Sequence, residues 1–160
     1  MDIYKIRDEL SRGKTIYELP LRVTYYARVS SEKVEQKNSL ENQVYYYPNL
    51  IKNNKKWTYV KGYVDEGISG ASTLKRNDFL RMARDSKNDV FDLVLTKEIS
   101  RFSRDTLDSI SFARKFLKNG VGIFFENDNI NTLYSDSELR LTIMASIAQD
   151  ELRKLSERVR

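Results

Sequence analysis

A chain of 160 residues is the size of one compact domain with a single core to bury. It contains no cysteine and no histidine, which excludes a disulfide framework, a thiol nucleophile, an imidazole base and the usual zinc ligands; hydroxyls, carboxylates, Lys, Arg or a hard cation must carry any chemistry. The formal charge of +5 and pI of about 9.3 favour a polyanionic partner, and the absence of a long apolar run, with the charged opening MDIYKIRDELSRGK, predicts a soluble, cytoplasmic protein with no membrane partner.

Residues 1–20 are polar, lack clear periodicity and end at Pro20, so they read as a short helix or an extended arm, an N-terminal extension ahead of the main fold. From Leu21, LRVTYYARV is β-branched and aromatic and predicts a strand. Asn38 followed by Glu41 marks a helix start, and Leu40, Val44, Tyr47 and Ile51 then share one face; Pro48 should kink this helix or end it early. WTYVKGYVDEG (57–67) predicts a second strand, ISGASTLKR a loop, and NDFLRMARDS a helix beginning near Asn77. FDLVLTKEIS predicts a third strand, RDTLDSISFARKFLKN a helix stopped by Gly120, and VGIFFEND a fourth strand. After a loop over 127–135, Ser135 or Asp136 caps a last helix that still runs at Arg160. Strands alternating with helices predict an α/β fold: a mostly parallel central sheet flanked by helices, with a core over 21–135 and a long C-terminal helix over 136–160.

In open parallel sheets ligands bind outside the carboxyl ends of the strands. The first strand delivers Arg28, Ser30 and Ser31 there; the second leads to Asp65, Glu66, Ser69, Ser72 and Arg76; the third delivers Ser100, Arg101, Ser103 and Arg104. The arginine fork matches phosphate oxygens bidentately and stays charged at any working pH. Arg28, Arg76, Arg101 and Arg104 could together neutralise a phosphodiester and its five-coordinate transition state, and would favour a serine alkoxide at Ser30 or Ser31 without an imidazole. The plainer alternative is that these are turn residues, with Ser103 a helix cap. The tyrosines at 45–47 read as packing on a helix face, and Asp92 as structural.

Four segments, in order, resemble the catalytic domain of the serine recombinase family of resolvases, invertases, large serine integrases and transposases: YARVSSEKVEQKNSLENQ, ASTLKRNDF, VLTKEISRFSRD and IMASIAQDELRKLSERVR. The resemblance covers about 21–160 and implies a resolvase-like fold, Ser30 as nucleophile and Arg28, Arg76, Arg101 and Arg104 on the scissile phosphate. It further implies that Gln43 orients the site and that Glu151 supports it from the long helix. Ser100 stands where small resolvases usually carry aspartate, as in the large-serine subgroup. The implied reaction leaves a 5′-phosphoserine link and a free 3′-hydroxyl, then reverses on an exchanged strand. It requires neither ATP nor metal, and no cofactor. Implied partners are double-stranded DNA, a second copy of the chain and a tetramer on paired sites. The family's separate DNA-binding domain has no counterpart pattern here, so the expectation is a catalytic fragment.

Two other readings stay open: a metal-dependent nuclease or phosphatase using Asp65, Glu66, Asp92 and Asp105, and a non-catalytic phosphate- or nucleic-acid-binding α/β module. The last helix carries two stripes. Leu141, Ala145, Ala148, Leu152, Leu155 and Val159 follow a heptad seam assigned to a neighbouring subunit, whereas Leu139, Ile143 and Ile147 are assigned to the domain's own core.

Overall fold

A computed structural model of the chain describes residues 1–30, 34–67, 76–99 and 106–158, with side chains at 29–30, 34–41 and 67 excluded. Strand β1 (Arg22–Ser30) is the axis of the sheet. Its alternation sends Val23, Tyr25 and Ala27 to one face and Thr24 and Tyr26 to the other, all of them buried, as a parallel sheet covered on both sides requires. β2 (Thr58–Tyr59) and β3 (Tyr63–Gly67) pair with β1 on one side, and β4 (Leu93–Thr96) pairs with it on the other, all parallel. β5 (Gly122–Phe125) continues parallel to β4, and β6 (Ile130–Asn131) closes that end antiparallel.

Helix α1 (Ile3–Ser11), a 3-10 turn at Ile16–Glu18 and α2 (Val34–Asn53) bring Ile6, Leu10, Ile16, Tyr47 and Ile51 onto the face of Val23, Tyr25 and Leu95. Helices α3 (Asn77–Asp85), α4 (Thr106–Lys118) and α5 (Ser137–Arg158) bring Phe79, Met82, Ile110, Phe116 and Leu141 onto the face of Tyr26, Val94 and Ile123. The α/β architecture is therefore the one its alternating periods predict. The N-terminal residues form a helix rather than an arm, anchored where Arg7 donates to the Leu133 and Thr132 carbonyls and the Trp57 indole donates to the Ile16 carbonyl.

Local differences have local causes. The stretch 57–67 is two strands, because the chain breaks step at Lys61 and Gly62: the Thr24 hydroxyl donates to the Lys61 carbonyl, and Gly62 lies flat on the Tyr25 ring, where a Cβ would come within 2.1 Å of it. Helix α2 starts at Val34, ahead of Asn38, and runs through Pro48 to Asn53. Proline costs it one backbone bond, while Tyr47 and Ile51 on either side are fully engaged with the sheet. β6 occupies part of the predicted loop.

The two stripes of α5 are reversed near its start. Leu141 is buried in its own domain and Ala145 packs beside it, whereas Leu139, Ile143 and Ile147 are more than half exposed. Both stripes have helical spacing, and only the docking angle of the helix decides between them. Leu152 and Leu155 lie exposed farther along, Ala148 is half-buried, and Val159 falls outside the described residues.

Gly122 marks a second close approach, within β5 itself. A Cβ there would sit 2.3 Å from Leu133 Cγ, so Gly122→Ala should lower stability by about 1 to 3 kcal/mol through overpacking. Denaturant unfolding checks this; an unchanged midpoint would show that Leu133 moves aside freely.

Candidate active site

β1 and β3 run side by side to the same carboxyl edge, with Arg28 opposite Asp65 and Ser30 opposite Gly67. Asp65 is buried at 7% exposure and uses both oxygens. Oδ1 accepts from the Asp78 N–H at 3.0 Å, and Oδ2 from the Phe79 N–H at 3.0 Å and the Tyr26 hydroxyl at 2.8 Å. A carboxylate on the first-turn N–H groups of α3 stabilises that helix end. Asp78 reciprocates by accepting from the Val64 N–H, which ties α3 to β3.

Arg76, the residue before α3, lies in this junction at 6% exposure. Its Nε and Nη2 donate to the Tyr26 hydroxyl at 3.3 and 3.0 Å. Its guanidinium carbon stands 4.1 Å from the Phe79 ring centroid, a cation–π contact. The fork is thus fixed by a hydroxyl at its edge and a ring on its face. Tyr26 is the link between Arg76 and Asp65, and burial pushes its phenol far above the ordinary tyrosine value. It was legible as a strand residue; its role was signalled only by sharing a strand face with Arg28, two positions on. Arg28 is half-buried on that strand.

Gln43 approaches from the opposite side of the sheet. It is buried at 8% exposure and lines a cleft of about 380 Å³ with Asn42, Tyr46, Tyr47, Lys97, Glu126 and Asn127. The end of β5 is locked to that of β4 by the Glu126 N–H on the Thr96 carbonyl and the Asn127 N–H on the Lys97 carbonyl. Glu126 Oε2 accepts from the Tyr46 hydroxyl at 3.3 Å, while Oε1 is buried without a hydrogen-bond partner. Of the tyrosines at 45–47, Tyr47 is the packing residue, stacked on Tyr25 at 5.3 Å.

Burial raises the Glu126 carboxyl above its ordinary value and outweighs the Tyr47 and Tyr46 hydroxyls, which pull it down. A carboxyl raised in the fold costs nothing below the unfolded value of about 4.3, where both states are protonated. As pH climbs through the folded value the native state loses stability, and above it the full cost is present. Glu126→Gln should therefore melt higher than wild type at neutral pH, with the difference shrinking to nothing near pH 4 (about the unfolded value). A difference independent of pH would contradict it.

Of the carboxylates offered as metal ligands, Asp65 and Asp92 are otherwise engaged. Asp92 holds the start of β1 through the Arg22 N–H at 2.8 Å and its guanidinium at 2.9 Å, the structural role expected of it. Glu66 is exposed. Glu151 is exposed on α5. Ser31, Ser69, Ser72, Ser100, Arg101, Ser103, Arg104 and Asp105 lie outside the described residues, and of Ser30 the backbone position at the end of β1 is described.

Comparison with known proteins places this arrangement. The family described as Resolvase, N terminal domain, matches residues 23–160. Transposon Tn3 resolvase of Escherichia coli is 32% identical over 140 residues, covering 86% of this chain and 68% of that protein. The N-terminal catalytic domain of TP901-1 integrase superimposes with a TM-score of 0.62 at 30% identity, over 84% of this chain and 98% of that one. A resolvase family site-specific recombinase from Streptococcus pneumoniae gives 0.66 at 26% identity, over 86% and 93%. A mostly parallel sheet whose carboxyl edge gathers Arg28, Arg76 and the end of β1, matched over nearly its whole length, is that of a recombinase catalytic domain, and the chain belongs to the resolvase family of serine recombinases.

Proposed function

We propose that this domain cuts and rejoins double-stranded DNA with Ser30 as nucleophile. Its Oγ attacks the phosphorus, the bond to the 3′ oxygen breaks, and that oxygen departs to become a free 3′-hydroxyl while the phosphate stays on Ser30 as a 5′-phosphodiester. The reverse attack by a 3′-hydroxyl from an exchanged strand restores DNA and serine, so bond energy is conserved in the covalent link. Arg28, Arg76, Arg101 and Arg104 bind the phosphate and offset the charge of the five-coordinate transition state; Gln43 orients the site, with Ser100 and Glu151 in support. The observation that carries this reading is the Arg76 fork, held by Tyr26 and Phe79 beside the strand that ends at Ser30. A permanently charged guanidinium held in place supports phosphate binding at this edge.

The recombinase carrying this domain, stopped with denaturant during reaction on its crossover site, should leave 5′ ends bound to protein and 3′ ends that a polymerase extends. Free 5′-phosphates would support hydrolysis instead.

Assembly follows from α5. Its exposed stripe of Leu139, Ile143 and Ile147, with Leu152 and Leu155 beyond, suits a second copy of the chain, and paired dimers on two sites would form the tetramer that four-strand exchange needs. No described helix is long and apolar enough to cross a membrane, in keeping with action on DNA in the cytoplasm.

A further inference from the structure

The cleft between α2 and the end of β5 holds the one described carboxylate oxygen that is buried with no hydrogen-bond partner, Glu126 Oε1. Such a group is costly to keep, and a native fold retains it where it serves something other than stability. Glu126 stands on a rigid base, since its own N–H and that of Asn127 are bonded to the end of β4. Its other oxygen takes the Tyr46 hydroxyl. Tyr46 and Tyr47 follow Gln43 by three and four residues, one helical turn, so all three share the side of α2 that lines the cleft. Whatever shifts the grip of Glu126 on Tyr46 therefore shifts the same turn that carries Gln43.

We propose that Glu126 is a positioning residue for the recombination site: through Tyr46 it sets how α2 seats on the carboxyl end of β5, and so where Gln43 stands. The proposal rests on the recombinase reading in giving Gln43 a part in the site. The carboxyl is the group that changes state. Around it are Tyr46 and Tyr47 from α2, Tyr17 from the 3-10 turn and Lys97 after β4. The phenols titrate far above neutrality, all three being raised by burial. Ionised, Glu126 is favoured by the Tyr47 and Tyr46 hydroxyls, both on α2, while Oε1 bears the cost of burial; protonated, it loses that cost and grips the two hydroxyls more weakly. Helix α2 thus has two seatings, chosen by one proton at the edge of the site.

The decisive experiment follows the Gln43 side-chain amide of this chain by NMR as pH is raised from about 4 to about 8. In wild type the Gln43 amide and Tyr46 ring signals should move together, with a midpoint above the ordinary carboxylate value of about 4.3, and in Glu126→Gln both should be flat on an unchanged backbone spectrum. Tyr46→Phe, which removes the donor and keeps the ring, should raise the midpoint and carries the test if Glu126→Gln fails to fold. In single-turnover DNA cleavage by the recombinase, the wild-type inflection at that midpoint should vanish in Glu126→Gln with DNA affinity unaltered. Gln43 signals that stay flat while the Glu126 carboxyl carbon titrates, or a midpoint unmoved in Tyr46→Phe, would overturn the proposal. Absence of wild-type cleavage would instead remove the recombinase reading, and the Gln43 titration would still decide the positioning.

Discussion

Replacing Ser30 with alanine should abolish strand cleavage while leaving DNA binding nearly intact. The substitution removes one hydroxyl and no positive charge, so the electrostatic attraction that dominates affinity for phosphates is unaltered. With the nucleophile gone, no covalent link forms. The expected loss is on the order of 10⁴-fold or more, the scale found when a covalent nucleophile is deleted. Ser31→Ala is the matched control, since it deletes the same atom one position on and should cleave at close to the wild-type rate. A dead Ser31→Ala beside an active Ser30→Ala would move the nucleophile by one residue. Gel-shift affinity and single-turnover cleavage, measured on the same preparations, separate the two outcomes.

The second large effect is expected at Arg76. Lysine keeps the charge but cannot donate from two positions to the Tyr26 hydroxyl or lay a planar cation on Phe79. Losing a preorganised donor in a transition state is worth about 3 to 4 kcal/mol, a rate loss of roughly a hundred- to a thousandfold. Tyr26→Phe should give a smaller loss, because it removes the hydroxyl that aims the fork and leaves the fork itself. It also deprives Asp65 of a partner, although the carboxylate keeps the Asp78 and Phe79 N–H groups. Arg76→Lys cleaving within tenfold of wild type, at equal stability, would take Arg76 out of the reaction; tenfold corresponds to about 1.4 kcal/mol.

The fold was legible because period and burial agree over most of the chain. The strand at Arg22–Ser30 shows its residue types, and the helix at Asn77 its switch of period. What escaped was decided by tertiary contacts. Pro48 reads as a stop, yet the flanking Tyr47 and Ile51 hold the helix through it. The step at Gly62 is set by the Tyr25 ring, which is remote in sequence. The two stripes of α5 are equivalent as patterns, and only docking on Ile110 and Phe116 buries Leu141 and leaves Ile143 outside. At the carboxyl edge, the ends of the first three strands point to Arg28, Asp65 and Arg76, whereas Glu126 follows the fourth and carries no spacing signal. Gln43 has no spacing signal of its own and came from the resemblance. Tyr26 was hidden because a buried strand tyrosine looks like packing until its hydroxyl partners are known.

The most direct test maps the covalent link. The recombinase is trapped on its crossover DNA, digested with trypsin and nuclease, and the nucleotide-bearing peptide is sequenced by mass spectrometry. Trypsin cuts after Arg28 and Lys33, so the diagnostic peptide holds both Ser30 and Ser31. A 5′-nucleotide on Ser30 is the predicted result; a nucleotide on any other residue, or attachment through a 3′-phosphate, would contradict it.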